Sequence, residues 1–316
     1  MKSHVIIVLL AGFLAGDWQT QGQLLYITDD VSDSIHRFSG GSDLGWFVAP
    51  QAASVDFSLA VDAEGNVYAS FNGQIKKFGP SGADLGVFAT PSAFPRGIAF
   101  DSNGNLYASL VGDTVHKFGP SGADLGTFAS TGLNGCYAIA FDSSDNLYSA
   151  NTGDHTVRKF GPTGTDLGIF ASTGSDSSHN SFGLAFDRTG NLYASLAGAR
   201  EIHKFGPSGA DLGAFASFLS GDNLNSPRGL AFDDSGNLYV ANHGNSTVEV
   251  LDPIGSHLDT LTSSSMIGPN ALAISTVPEP AACGVVMGTA AATAVLWRRT
   301  NRRRNAVANR LSGGAR

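Results

Sequence analysis

A unit of about 40 residues repeats along most of the chain, and no other feature restricts the fold as strongly. Its cleanest copy runs from Gly97 to Ser130, GIAFDSNGNLYASLVGDTVHKFGPSGADLGTFAS. Four short runs in it, Gly97–Phe100, Leu106–Ser109, Val115–Phe118 and Leu125–Ala129, are rich in apolar, β-branched and aromatic residues. Each is too short for a typical helix and is bounded by Gly, Asp, Asn, Ser or Pro, so each reads as a strand. Asp101–Asn105 forms a tight turn because Gly and Asn tolerate positive φ, and Gly119-Pro120-Ser121-Gly122 forms another, with Pro fixing φ near its start. The unit is a four-stranded antiparallel meander.

The turn asparagine returns as Asn66, Asn105, Asn146, Asn191 and Asn237. GPSGADLG begins at Gly79, Gly119 and Gly206, and GPTGTDLG at Gly161. Four strands every 40 or so residues mark a β-propeller blade. Five full copies are visible, and the ends supply a sixth. Leu24–Val48 carries the last three strands of a unit, and Asn270–Ser275 carries a first strand alone. Paired, they form a composite blade that closes the ring and removes an exposed sheet edge. The expected fold is all-β: a six-bladed β-propeller over residues 23–276, flanked by a signal peptide (1–22) and a C-terminal transmembrane segment.

Arg228–Asp252, RGLAFDDSGNLYVANHGNSTVEVLD, resembles an NHL repeat, the unit of a family of six-bladed propellers. The resemblance covers roughly residues 24–275 and rests on the core G-[LI]-A-[FV]-D-x-x-G-N-[LV]-Y. Asp145 stands in place of Gly in the third full copy, and Leu251-Asp252-Pro253 in place of Phe-Gly-Pro in the fifth. The family includes scaffolds, peptide and RNA binders and enzymes, so the fold does not choose a function.

Charge narrows the choice. The formal net charge is −8, and residues 17–280 hold 11 Lys and Arg against all 27 Asp and Glu, while the segment after Trp297 holds seven Arg and no acid. An acidic ring is a poor match for a phosphate backbone, so nucleic acid is not an expected partner. The two cysteines, Cys136 at the edge of a first strand and Cys283 in the C-terminal apolar run, supply neither a disulfide framework nor a Cys-based metal site.

Lys2 and His4 precede the apolar run Val5–Ala15, followed by small and polar residues. This is the three-part order of a secretory signal peptide, with Gly16 or Gly22 as the last residue removed. A buried first strand is the alternative.

At the other end, Val277-Pro278-Glu279-Pro280 precedes the uncharged run Ala281–Trp297 and a cluster of Arg298, Arg299, Arg302, Arg303 and Arg304. This order, over residues 277–304, resembles the PEP-CTERM sorting signal. The resemblance implies an exosortase partner, cleavage near the motif, and delivery from the inner membrane to the envelope or extracellular matrix. Physically, the prolines keep the junction extended, and the Arg cluster holds the end of the apolar run in the cytoplasm. A plain single-pass anchor is the alternative reading. The Ala-rich run and the tail 305–316, expected to be disordered, depart from the signal's usual form.

In a blade, the first and third turns lie on one face of the ring, and the second turn and the connection to the next blade lie on the other. The first pair, DxxGN and GPSGADLG, is nearly invariant here, whereas the second pair varies in length and content. Ligand-binding loops or unconstrained drift both account for that divergence. On the variable face the candidate ligand-binding residues are Arg96 and Arg228, placed just before first strands, with Asn151, Asn242 and His243. Arg offers a planar fork for carboxylate or sulfate, and Asn both a donor and an acceptor. His155, His179 and His243 share the rim without a metal-binding spacing. His36, His116 and His203 fall at a third-strand position expected to point outward. Asp62, Asp101, Asp142, Asp187 and Asp233 read as turn formers.

No P-loop, nucleophile elbow or dinucleotide fingerprint is present. The favoured function is an exported, non-catalytic binding or scaffold propeller without a cofactor, presenting a face to an extracellular polysaccharide or envelope protein. The alternative is a metal-assisted hydrolase or lyase, similar to gluconolactonase-like or virginiamycin-lyase-like propellers. That reading asks for a carboxylate on the channel-facing strands or the upper rim that breaks the repeat pattern, and the loop acids Asp56, Asp113, Asp154, Asp176, Glu201 and Asp222 are scattered and unpaired.

Overall fold

The structure, a computed structural model, describes residues 23–50, 55–217 and 223–275. The expected signal peptide, the Pro-Glu-Pro motif with its apolar run and Arg cluster, and the tail lie outside the described residues. Among the described residues no helix is long and apolar enough to cross a membrane.

Six four-stranded antiparallel sheets make up the described chain. Blade 1 is composite, ordered β24 (Pro269–Ser275), β1 (Leu24–Asp29), β2 (Ser34–Ser39), β3 (Ser42–Val48). Blade 2 is β4 (Val55–Val61), β5 (Val67–Phe71), β6 (Gln74–Phe78) and β7 (Asp84–Ala89). Blade 3 is β8 (Pro95–Phe100), β9 (Leu106–Leu110), β10 (Thr114–Phe118) and β11 (Asp124–Ala129). Blade 4 is β12 (Cys136–Phe141), β13 (Leu147–Asn151), β14 (Thr156–Phe160) and β15 (Asp166–Ser172). Blade 5 is β16 (Ser181–Phe186), β17 (Leu192–Leu196), β18 (Glu201–Phe205) and β19 (Asp211–Ser217). Blade 6 is β20 (Pro227–Phe232), β21 (Leu238–Asn242), β22 (Thr247–Leu251) and β23 (His257–Leu261). The first strands touch in succession round the axis, with β24 returning to β4. The ring closes as the two incomplete units require, in the register Leu25↔Ile274 and Ile27↔Leu272.

The repeated letters build the seams between blades. Asp101 Oδ1 accepts the N–H groups of Asn103 and Asn105, both at 2.9 Å, and its Oδ2 accepts the Asn105 amide at 2.8 Å and the Tyr107 hydroxyl at 3.1 Å. The Lys117 ammonium lies 3.5 Å from the same oxygen and 5.0 Å from the Tyr107 ring centre. Tyr107 in turn meets Phe128 of its own blade and Phe141 of the next edge-on, at 4.9 and 4.8 Å. The same set recurs around Tyr68, Tyr148 and Tyr193. Aromatic pairs of this geometry contribute ~1 kcal/mol each beyond their burial. Where Asp145 replaces the turn glycine it keeps the left-handed conformation, φ 57°. Its carboxylate accepts the Ser102 N–H and hydroxyl at 2.9 and 2.6 Å, which ties blade 4 to blade 3.

The third-strand position is not outward-facing as expected. His36 and Glu249 are fully buried, and the His116 and His203 side chains are only 14% and 17% exposed. In blades 4 and 5 the connector arriving from the preceding blade covers this position: Arg158 lies against Gly132, and His203 shares a hollow with Thr173, Gly174 and His179. The fourth strand supplies the counter-charge, as in Lys76–Asp84 at 2.8 Å, Arg158–Asp166 and His203–Asp211. Blade 6 reverses the signs, with His257 Nε2 3.1 Å from Glu249.

Asp29, fully buried at the end of β1, holds the closing blade. It accepts the N–H groups of Val31, Ser32 and Gly268 at 3.0 Å and of Ile267 at 2.7 Å. Burial pushes its carboxyl up, but the donors from Ile267, Ser32 and Val31 outweigh this and hold it below its ordinary value. Beside it, His36 Nε2 is 3.7 Å from Asp29 Oδ2, and neither ring nitrogen has a hydrogen-bond partner. Burial lowers the His36 pKa, against the pull of Asp29 and Asp43.

A pH dependence follows. The unfolded chain takes up a proton at His36 near its ordinary value of 6.5, whereas the folded chain resists it. Stability owed to this residue is whole above that value and drains as pH falls below it. Asp29 adds a second loss as pH falls below the ordinary carboxyl value of 3.8. Thermal melts from about pH 7 to about pH 5 should show a falling midpoint, and His36→Gln should flatten that fall. An unchanged slope in the variant would show that His36 is not its source.

Candidate functional site

The inner strands carry one irregularity in common. In β8 the pairing shifts between Pro95 and Gly97, and in β16 between Ser181 and Gly183, leaving Arg96 and Phe182 bulged. In β12 the shift spans Tyr137, in β20 it spans Arg228, and in β24 it lies at Asn270. A bulge re-aims the side chain of its extra residue. Here it turns a ring of unlike side chains toward the mouth of the axial channel. Strands β8 and β20 begin earlier than the sequence pattern indicates, so Arg96 and Arg228 lie within them rather than just before. Proline tolerates the first position of a strand, and Pro95 and Pro227 pair there with Leu110 and Asn242.

Arg96, Phe182 and Asn270, on alternate blades, line an axial cavity of about 110 Å³. Beside them neighbouring inner strands approach backbone to backbone; a methyl on Gly97 would stand 2.6 Å from the Tyr137 carbonyl. The Arg96 guanidinium lies over the Tyr137 ring, 5.8 Å from its centre. Tyr137 meets Phe182 at 4.9 Å with the planes at 82°. No described carboxylate lies within ion-pair distance of Arg96. Across the mouth, Asp30 gathers three groups: Arg228 Nη1 at 2.9 Å and the Asn270 amide nitrogen at 3.0 Å on Oδ2, and His243 Nε2 at 3.1 Å on Oδ1. Burial pushes the Tyr137 hydroxyl up to about 12, with Arg228 and Arg96 pulling against Asp30.

Of the residues singled out from sequence, Arg96, Arg228 and His243 therefore reach the mouth. Asn151 and Asn242 are buried elsewhere, at the ends of β13 and β21. Asn151 donates to the Gly132 carbonyl at 2.9 Å and accepts from Ser149. Asn242 accepts the Asn225 N–H at 2.6 Å and donates to the Asn223 carbonyl, Thr247 and Glu249. Asp29, Phe71, Leu110 and Leu196 end the second strands of the other blades, and all are buried. Asn151 and Asn242 are polar versions of that anchor. His179 pairs with Asp176 at 3.0 Å. Cys136 is buried against Ser149, and burial pushes its thiol up to about 11. Among the described residues, no three His, Cys, Asp or Glu stand together to hold a metal ion.

Sequence reasoning missed Tyr137, Phe182, Asn270 and Asp30. The signal was available. The residue just before the [GA]-[LI]-A core is Arg96, Tyr137, Phe182, Arg228 or Asn270 in these copies, an inner-strand position where near-identical repeats disagree in character.

Asn242→Ala should lower stability by about 1–3 kcal/mol, because its buried partners lose their bonds. It should leave ligand binding by the folded fraction unchanged. Denaturant melts and binding assays on the same preparation separate the two effects.

The NHL repeat family matches residues 224–251. No curated protein sequence matches the chain. Among solved structures, a chain of a nidogen/laminin complex superposes with a TM-score of 0.69 at 19% identity, over 80% of this chain and 98% of that one. A Bacteroides caccae protein of unknown function superposes with a TM-score of 0.65 at 16% identity, over 80% and 99%. At these identities the likeness is one of fold, and the chain is a six-bladed β-propeller carrying an NHL repeat.

Proposed function

We propose that the protein is an exported, non-catalytic binding propeller of the bacterial envelope or extracellular matrix, gripping an anionic polymer at the channel mouth on its variable face. The observation that carries this reading is the bulge ring: copied repeats place Arg96, Tyr137, Phe182, Arg228 and Asn270 at one position round one opening. Of the two mouth arginines, Arg96 has no described counter-ion, whereas Arg228 is held by Asp30. The mouth carboxylate Asp30 already accepts from three donors, which supports binding over general-base work. The nidogen/laminin neighbour is a propeller in a complex with another protein, so a fold of this kind serves as a binding module.

Full-length protein should be retained on the host's anionic extracellular polysaccharide, and Arg96→Ala should weaken retention about tenfold without moving the melting temperature. Arg228 is a poorer probe, because its loss unpairs Asp30. The opposite face supplies the control. If Arg96→Ala changes nothing while Ser81→Asp, Ser121→Asp and Ser208→Asp in the exposed GPSG turns abolish retention, the working face is the other one.

Export is proposed from the signal-like start and the Pro-Glu-Pro, apolar run and Arg cluster order at the end. Exosortase is the partner this order implies, with Ala281–Trp297 holding the chain in the membrane until cleavage. Mass spectrometry of the host's extracellular fraction should find a C-terminus close to Pro280. Intact Arg298–Arg304 outside the cell would reject the sorting step.

A further inference from the structure

The size and lining of the axial cavity limit what part of a polymer it can take. Pockets that enclose a drug-sized ligand run to roughly 300–1,000 Å³. This one is about 110 Å³. One group can enter, and the lining states its chemistry. Arg96 offers a cation with a planar donor fork, fixed by its seat over Tyr137. Phe182, half-buried and braced edge-on by Tyr137, offers an apolar flank. Asn270, its amide nitrogen held by Asp30, places a polar side chain on the third side.

Resting on the reading above, we propose that the mouth is a single-residue subsite for a terminal or pendant acidic sugar. The carboxylate lies on Arg96, the C–H face of the ring covers Phe182, and hydroxyl groups meet Asn270. An aspartate or glutamate side chain from a protein partner would satisfy Arg96 but leave the Phe182 flank uncovered. The aromatic flank therefore favours the sugar acid.

Calorimetric titration of the full-length protein with D-glucuronate, D-glucose, a linear trihexuronate and an Asp-rich peptide tests this. Glucuronate should bind and glucose should not, and the trihexuronate should bind within about threefold of the monomer, since only one residue enters. Arg96→Ala should lower glucuronate affinity at least tenfold, with Arg96→Lys in between. Phe182→Leu, which keeps an apolar filler, should weaken glucuronate while leaving acetate unchanged. Affinity that climbs tenfold or more from monomer to trimer would replace the subsite with an extended groove. Binding of the peptide but not glucuronate would assign the mouth to a protein partner. If the host polysaccharide retains the protein while glucuronate fails to bind, the subsite falls and the wider reading stands. If neither binds, both fall.

Discussion

The ring stands on the seam between blades, and the seam stands on one tyrosine per repeat. Each second-strand tyrosine of blades 2 to 5 lies edge-on between a phenylalanine of its own outer strand and one on the inner strand of the next blade. A buried phenol needs a partner for its hydroxyl, and the turn aspartate supplies it. That aspartate must accept two backbone N–H groups and the asparagine amide as well, so Asp, Gly, Asn and Tyr cannot vary independently. The second glycine of each GPSG turn is fixed for a related reason. A methyl there would run into the carbonyl of the preceding blade's outer phenylalanine, as at Gly82 with Phe47 and Gly122 with Phe88. The invariant face is thus held constant by packing between neighbours. Its constancy carries no message about a ligand.

With the seams on one side, the opposite face has the freedom to differ, and the first strands carry that freedom to the axis. A bulge costs ladder hydrogen bonds but gains a redirected side chain. Because it sits in the innermost strand of each blade, a single substitution per repeat changes the lining of one shared opening without disturbing a seam. The mouth is for that reason the place where a copied scaffold acquires a distinct surface.

Much of the fold was legible in the sequence: the period, the four strands, the turn aspartates and the composite blade all follow from local chemistry that repeats. The site was legible only in part, and the failures share a cause. Asn151, Asn242 and His36 look like exposed polar residues in a single repeat. The burial of Asn151 and Asn242 depends on the connector arriving from the preceding blade, and His36 is buried beside Asp29 of the closing blade; these are tertiary facts with no periodic signature. Reading Arg96 as preceding its strand had the same origin, because Gly97 seemed to open a strand that begins at Pro95 across a bulge. Glu249 with His257 could have been found by comparing charges eight residues apart, since the blade 6 pair reverses the sign of Lys76–Asp84 and Arg158–Asp166.

Closure and site meet in blade 1. Asp29 and Asp30 are adjacent, and alternation along the strand end sends them to different tasks. Asp29 binds the backbone of Ile267 and Gly268 and so holds the incoming β24 strand. Asp30 takes Arg228, His243 and Asn270, and its own N–H donates to the Gly268 carbonyl at 3.1 Å. The segment that locks the ring thus also sets the charge on one side of the mouth. Such a carboxylate would be costly among the inner strands unless paired, and only the composite blade brings the partners from residues 228 to 270 against residues 29 and 30. The asymmetry of the mouth, with Arg96 lacking a described counter-ion on one side and Arg228 neutralised on the other, is therefore a consequence of where the chain ends join. A ring of six complete, identical repeats would have carried the same cationic or apolar residue at every bulge and presented no polar axis to a ligand.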